Sequence, residues 1–413
     1  MLLDICKTHR QRYGYLIRQK RIALGMTQKR LIEKTNHAIS IRSYIALENG
    51  KVLQDMENYD LLFAILHIQY NYECDLDSKL EPLLSKLFHG WNTYDKVLCE
   101  ACYKKLIQLL TPYQRYSWEA AMITCCQILQ RNLNNEIELS AQEYDWLLSF
   151  YLAFPNTIQS ILATVLYSYQ YNFPHDSQKL HHLLKQFPML AHPDSVRNCI
   201  TFALHQTNIE HNDLLAWKQL QKFKKLAWKD KNWTALFDIY HWLCLISADI
   251  NVPEFDTLQL TCEQLLNEHD IPLERRSTYY FNLSIVYHRK KDYKTEERYL
   301  QAFLKERKHA LLPFLFWYIH NQRLQNKPID TILVKNYQID DCSEQLQHLW
   351  KFYELLPNAE AKIAQQYLMK TCLPILSTLA VEFQIVFLHE LQLLIIKTRN
   401  YKDLLLYMKY LKL

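Results

Sequence analysis

Residues 91–413 contain no glycine. The four glycines of the chain, Gly14, Gly25, Gly50 and Gly90, all precede that stretch. Glycine supplies the positive-φ positions that tight strand-to-strand turns need. A run of this length without one argues against sheets joined by hairpins and for helices. The expected fold class is therefore all-α. The 413 residues exceed one ordinary core and imply two or more packing units. Hydrophobic residues make up 49%, enough for a large interior, and charged residues 22%, a normal share for a water-exposed surface.

The charge is unevenly spread. Residues 1–70 hold 11 Lys/Arg against 6 Asp/Glu, and the remainder holds 37 of each. The whole net charge of +5 thus lies in the first 70 residues. Such a concentration suits contact with a polyanion, nucleic acid first.

The 11 cysteines are odd in number and follow no framework spacing. With no signal peptide ahead of them, they read as reduced, buried thiols of a cytoplasmic protein. Cys99–Cys102 form one CxxC, half of a zinc site at best, and Cys125–Cys126 are adjacent; both pairs read as packing residues. The most apolar window, Pro374–Lys397, is interrupted by Glu382, His389 and Glu390, so no membrane span is expected.

Four helices can be read at the front. The first covers Gln11–Ala23, with Tyr15, Leu16 and Ile22 on one face and Gly25 ending it. Thr27 caps the second, whose Leu31 and Ile32 point inward; Arg30 stands where a capping box would have Glu. Ser40 caps a third, with Tyr44 and Leu47 one turn apart on the buried side and Asn49–Gly50 as the stop. Asp55 or Asn58 opens a fourth, buried through Leu61, Leu62, Ala64, Ile65 and Leu66.

Two short helices joined by a turn suit the helix-turn-helix unit. The stretch LGMTQKRLIEKT…SYIALENGK resembles the lambda-repressor/XRE-type helix-turn-helix family over residues 11–68. The resemblance implies binding to a double-stranded DNA operator. Gln28 would meet backbone or base, and Arg42 and Ser43 would lie exposed at the start of the reading helix. Arg42 suits a bidentate contact with guanine, and Ala46 could touch only a thymine methyl. Lys29 and Lys51 would neutralise phosphates, and the caps Thr27 and Ser40 complete the DNA-facing set. The resemblance also implies a structural pairing of Arg21 with Glu48. One departure stands out. The turn Thr35–Ile39 (TNHAI) is about two residues longer than the family's and has no glycine.

After a polar segment, Asp75–Lys79, apolar residues recur at three- and four-residue spacing almost to the end. Breaks fall irregularly at prolines and Asn/Asp clusters, as expected of short helix pairs. Ser277–Leu304 resembles a tetratricopeptide repeat, with Tyr280, Leu283 and Tyr287 at its large positions and Ser284 at a small one. Glu296 replaces the usual alanine of its second helix, and Lys291 the turn glycine. A weaker echo is Leu391–Leu411. The expected division is a DNA-binding domain at 1–70, a linker at 71–80, and at 81–413 a right-handed superhelix of degenerate tetratricopeptide-like pairs. There is room for about eight or nine pairs.

Stacked pairs of this kind create a concave surface suited to an extended peptide. The groove candidates are Thr278, Phe281, Asn282, Ile285, His288 and Arg289 in the clearest repeat. Elsewhere they are Tyr169, Gln170 and Asn172; Asn198 and His205; Asp238 and His241; and His320 and Asn321. The two-part architecture resembles the peptide-pheromone-responsive RRNPP regulators. That family implies a cytoplasmic homodimer whose array binds a short signalling peptide and thereby changes dimer geometry and operator binding. A regulator whose array docks a protein partner, and a scaffold that no longer binds DNA, are the rival readings.

No phosphate loop can form without glycine, and no HExxH occurs; His389–Glu390 runs on into LQLL. His181–His182 are neighbours on a helix and face different ways. The expectation is therefore no enzyme, no cofactor and no metal.

Overall fold

The computed structural model describes residues 7–71, 75–133, 139–172, 177–186, 195–250, 253–306, 312–328, 343–379 and 381–403. These residues form 20 α-helices and no strand. The chain is all-α, and it divides into two compact units, residues 1–269 and 270–413.

The first unit contains α1 Lys7–Ala23, α2 Gln28–Lys34, α3 Ile41–Glu48, α4 Glu57–Leu66, α5 Leu76–Thr93, α6 Lys96–Leu110 and α7 Ser117–Leu133. It continues with α8 Ala141–Phe150, α9 Asn156–Asn172, α10 Ser177–Gln186, α11 Val196–Asn208, α12 Asp213–Lys229, α13 Trp233–Asp249 and α14 Phe255–Glu268. The second unit contains α15 Leu273–Arg289, α16 Tyr293–Glu306, α17 Leu312–Leu324, α18 Glu344–Leu355, α19 Ala361–Tyr367 and α20 Val381–Thr398.

Short connections make sequential helices antiparallel neighbours. The joints at α5–α6, α12–α13 and α15–α16 need a left-handed residue, and without glycine the chain uses Tyr94 (φ 60°), Lys231 (φ 50°) and Lys291 (φ 59°). Each carries a Cβ into a region that disfavours it, at about 1–2 kcal/mol per residue. Where glycine does occur, two positions require it. A Cβ on Gly14 would lie 2.6 Å from the Leu47 carbonyl oxygen, so Gly14 lets α1 lie close against α3. Gly50 has φ +81°, and a Cβ there would lie 2.2 Å from the Tyr15 hydroxyl.

The caps form as the sequence suggests. Thr27 Oγ1 accepts from Arg30 N at 3.1 Å, and Ser40 Oγ from Ser43 N at 3.1 Å. Tyr44, Leu47, Leu31 and Ile32 are buried. Two assignments change. Ile22 is 50% exposed, because α1 runs past the helices that cover Tyr13, Leu16 and Ile17. In α4 the buried set is Tyr59, Leu62, Phe63 and Leu66, and Ala64 is exposed. The glycine-free turn between α2 and α3 is built by Asn36 (φ 50°) and His37 (φ 59°), consecutive left-handed residues.

The expected linker does not separate the compact units. One buried core runs from Tyr13, Leu16 and Ile17 through α5, α6 and α7 to Leu183. A polar seam reinforces the join. Asp77, in the first turn of α5, lies 2.5 Å from His9 Nε2 and 3.3 Å from Arg12 NH1. The Arg12 guanidinium also stacks 3.8 Å over the Trp118 ring of α7. Asn71 donates to Glu119 at 2.8 Å. The front four helices are thereby bolted to those that follow. Residues 72–74 lie outside the described residues.

In the second unit the repeat at Ser277–Leu304 forms the α15–α16 pair, turning at Lys290–Asp292. The echo at Leu391–Leu411 begins with α20 and a left-handed Arg399, and its end lies outside the described residues. No helix among the described residues is long and apolar enough to cross a membrane.

Candidate functional site

The exposed face of α3 is built by what its opposite face must do. Tyr44, Leu47 and Glu48 are buried. Helical periodicity then turns Ile41, Arg42, Ser43 and Ile45 outward, with Asn49 exposed at the C-cap. Arg42 is exposed, as are Thr27, Lys29, Ser40, Ser43 and Lys51; Ala46 is half-buried. Ser40 Oγ donates to Ser43 Oγ at 2.9 Å, so the two hydroxyls at the helix start engage each other.

Glu48 holds this face in position. Its side chain is 3% exposed, yet it carries a charge-capable group. Arg21 Nε and NH2 donate to it at 2.6 and 3.1 Å, Tyr44 Oη at 2.6 Å and Gln28 Nε2 at 2.6 Å. Burial favours the neutral acid, but the donors from Arg21, Tyr44 and Gln28 outweigh it and hold the Glu48 pKa below the usual carboxylate range. Arg21 NH1 further donates to the Met26 carbonyl at 2.6 Å. One carboxylate thus ties α1, α2 and α3 together.

This network also engages Gln28, expected at the duplex: its side-chain Nε2 donates to Glu48. Ile41 and Ile45, 46% and 40% exposed, were not among the sequence candidates. The signal was present: they flank the Tyr44–Leu47 stripe on its outer side. Exposed apolar groups beside Arg42 suit contact with thymine methyls.

The groove candidates fall into two groups and are mostly buried. In the first unit Asn198 and His205 are 2% and 0% exposed, on α11. Thr164 Oγ1 donates to Asn198 Oδ1 at 2.7 Å. His205 lies between Tyr167 Oη at 3.2 Å and Glu210 at 3.3 Å, and burial lowers its pKa despite that carboxylate. Asp238 and His241 of α13 are both 2% exposed, with His241 flanked by Phe237 and Trp242. Tyr169 is half-buried and stacks on Tyr144. Asn172 closes α9, and its side chain lies outside the described ones.

In the second unit Phe281 and Ile285 pack against Leu300, Trp317 and Val386. Asn282 and His288 are half-buried; Thr278 and Arg289 are exposed. His320 and Asn321 are 0% exposed, and Asn321 Nδ2 donates to the Tyr293 carbonyl at 2.9 Å. In this conformation, therefore, all six of Asn198, His205, Asp238, His241, His320 and Asn321 are buried, and Asn198, His205, His320 and Asn321 bond to neighbouring elements. Their polar character marked them, but the sequence carried no sign of the helices that cover them.

One set of these residues is incompletely satisfied. Ser160 Oγ and Gln170 Nε2 on α9, and Asn198 Nδ2 and Gln206 Oε1 on α11, have no hydrogen-bond partner among the described residues. All four side chains are at most 4% exposed, and α9 packs on α11. Buried polar atoms left unpaired cost about 1–3 kcal/mol each.

The described cysteines are eight buried free thiols. Burial pushes Cys99 and Cys126 up to about 12, far from the thiolate a nucleophile or metal ligand requires. No family model matches this chain, and neither a curated protein nor a solved structure does.

Proposed function

We propose that this protein is a sequence-specific DNA-binding transcription regulator whose helical array responds to a short peptide. The observation that carries the first half is the outward face of α3. Arg42, Ser43, Ile41 and Ile45 are exposed together on a helix clamped from behind by Glu48, in the segment that holds all the excess positive charge. A helix held in this way, within a basic segment, suits the major groove: Arg42 reads guanine, and Lys29 and Lys51 meet phosphates. The α2–α3 pair acts as the helix-turn-helix, with its lengthened turn at Asn36–His37.

The unpaired polar atoms between α9 and α11 favour the peptide half. A peptide backbone offers the amides and carbonyls that Ser160, Gln170, Asn198 and Gln206 lack. Burying it there would part α9 from α11. Because α8 packs on both α9 and α1, the reading helices would shift as one body with the array. The peptide then acts by favouring one geometry of a cytoplasmic homodimer over another. Docking of a protein partner on the array, with no peptide sensed, is the alternative.

Fluorescence anisotropy on DNA from upstream of the gene, across a salt series, tests the reading. Wild type is expected to bind with a steep salt dependence and to discriminate between sites. Arg42→Ala should lose the discrimination and keep salt-sensitive residual binding. Equal discrimination by Arg42→Ala would remove α3 as the reader. Peptides encoded by neighbouring short reading frames should change the affinity in wild type and not in Asn198→Leu. A complex indifferent to all of them would transfer the array to protein docking.

A further inference from the structure

In the second unit three histidines from three helices converge. One ring nitrogen from each of His288 (α15), His320 (α17) and His389 (α20) lies within 4.8 Å of the other two. His320 Nε2 and His389 Nδ1 are 3.2 Å apart. Three imidazoles have no reason to face one another in a helical core, since each would rather meet an acceptor or water.

The groups behind them explain the arrangement. His320 Nδ1 lies 2.7 Å from Glu390 Oε1, and His288 Nδ1 lies 3.1 and 3.2 Å from the two oxygens of Glu296. Both carboxylates are 0% exposed. A carboxylate can only accept, so each Nδ1 carries its hydrogen and donates. The Nε2 of each ring is left with its lone pair. Carboxylate-backed imidazoles with free Nε2 are the arrangement that orients histidines toward a metal ion and raises their basicity. Trp317 Nε1 fixes Glu296 at 2.7 Å, and Arg323 Nε fixes Glu390 at 2.9 and 2.8 Å. Charge agrees as well. Two buried carboxylates face one guanidinium, with exposed Lys291 the other cation near His389, so a dication is well accommodated.

We propose that His288, His320 and His389 form a binding site for a divalent transition-metal ion of the Zn²⁺ class. Nitrogens at the usual Zn–N distance of about 2.0–2.1 Å in tetrahedral geometry sit about 3.3–3.4 Å apart; His320 Nε2 and His389 Nδ1 are already at 3.2 Å, and the His288 nitrogen lies within 4.8 Å of both. Binding requires the hydrogen between His320 Nε2 and His389 Nδ1 to move to His389 Nε2, a change of tautomer that frees both facing nitrogens and keeps the ring neutral. Three protein ligands leave a fourth position for water or a ligand donor. His288 and His389 are half-buried, which gives the ion a way in. The site also accounts for Glu296, an acid where the resembled repeat has alanine: it backs His288.

The test uses the full chain, stripped with a chelator, loaded with Zn²⁺ and desalted, with metal measured by plasma mass spectrometry. One Zn²⁺ per chain is expected, with a higher melting temperature than the stripped protein. His389→Gln, at a half-buried position, should abolish retention while the circular dichroism is unchanged. Glu390→Gln should weaken binding about 10- to 100-fold. Co²⁺ should give the visible absorption of a four-coordinate nitrogen site in wild type and not in His389→Gln. A second cluster, His181, His205 and Glu210, makes His181→Ala the control. Retention lost in His181→Ala and kept in His389→Gln would overturn the assignment. So would wild type that retains no Zn²⁺, which would reduce the three histidines to a hydrogen-bonded packing cluster.

Discussion

Replacing Glu48 by alanine should loosen the α1–α3 face more than any other single polar change there. The substitution removes the acceptor of four hydrogen bonds and leaves the Arg21 guanidinium, 11% exposed, without its partner. Breaking a buried ion pair from one side costs about 3–5 kcal/mol. The N-terminal 90 residues contain no tryptophan, and Trp118 touches only the Arg12 end of α1, so fluorescence would report the event indirectly. Amide hydrogen exchange on peptides covering residues 11–51 would report it directly. At about 1.4 kcal/mol per factor of ten, exchange in α1–α3 should accelerate roughly 140- to 3,700-fold. The double variant Arg21→Met with Glu48→Met should recover most of the loss, because apolar residues of similar volume replace a buried pair at little cost. Site discrimination on DNA should fall with Glu48→Ala although no DNA-facing residue is touched. Acceleration below tenfold, or a double variant no better protected than the single one, would refute the clamp.

Three further outcomes can be checked. Lys231→Gly should stabilise the first unit by about 0.5–1 kcal/mol in urea unfolding, since relief of left-handed strain exceeds the added freedom of the unfolded chain; a loss of stability would contradict the strain. The hydrogen bond from His9 and the charge of Arg12 overcome burial and hold Asp77 at about 2. Its contribution is therefore present above the unfolded pKa of about 3.9 and is lost as pH falls through about 2. Asp77→Asn should remove that acid-dependent part, visible as a flatter stability curve between those limits. Finally, the described thiols should resist iodoacetamide at neutral pH in the native protein and react on unfolding; rapid native labelling of Cys99 or Cys126 would contradict their burial.

The all-helical class was legible because glycine is missing from residues 91–413, and backbone sterics need no tertiary information. The caps Thr27 and Ser40 were legible for a similar reason, since a cap is satisfied within three residues. The left-handed joints at Lys231 and Lys291 show the limit of that reasoning. The turn at Lys291 was predictable and the one at Lys231 was not marked by any break, and at both the chain accepts strain that a glycine would have relieved.

What covers a helix face lies beyond any local pattern. Periodicity placed His205, His241 and His320 on particular faces and could not say that neighbours bury them. The bond from Gln28 to Glu48 could not be foreseen, because the two stand 20 residues apart. Glu296 read as a defect in a repeat until His288 and Trp317 were found bound to it. His320 and His389, 69 residues apart, meet only because α17 packs on α20. Local sterics and capping decided that this chain is helical and where its helices begin. Long-range packing decided which polar groups are left facing one another, because that depends on which helices touch.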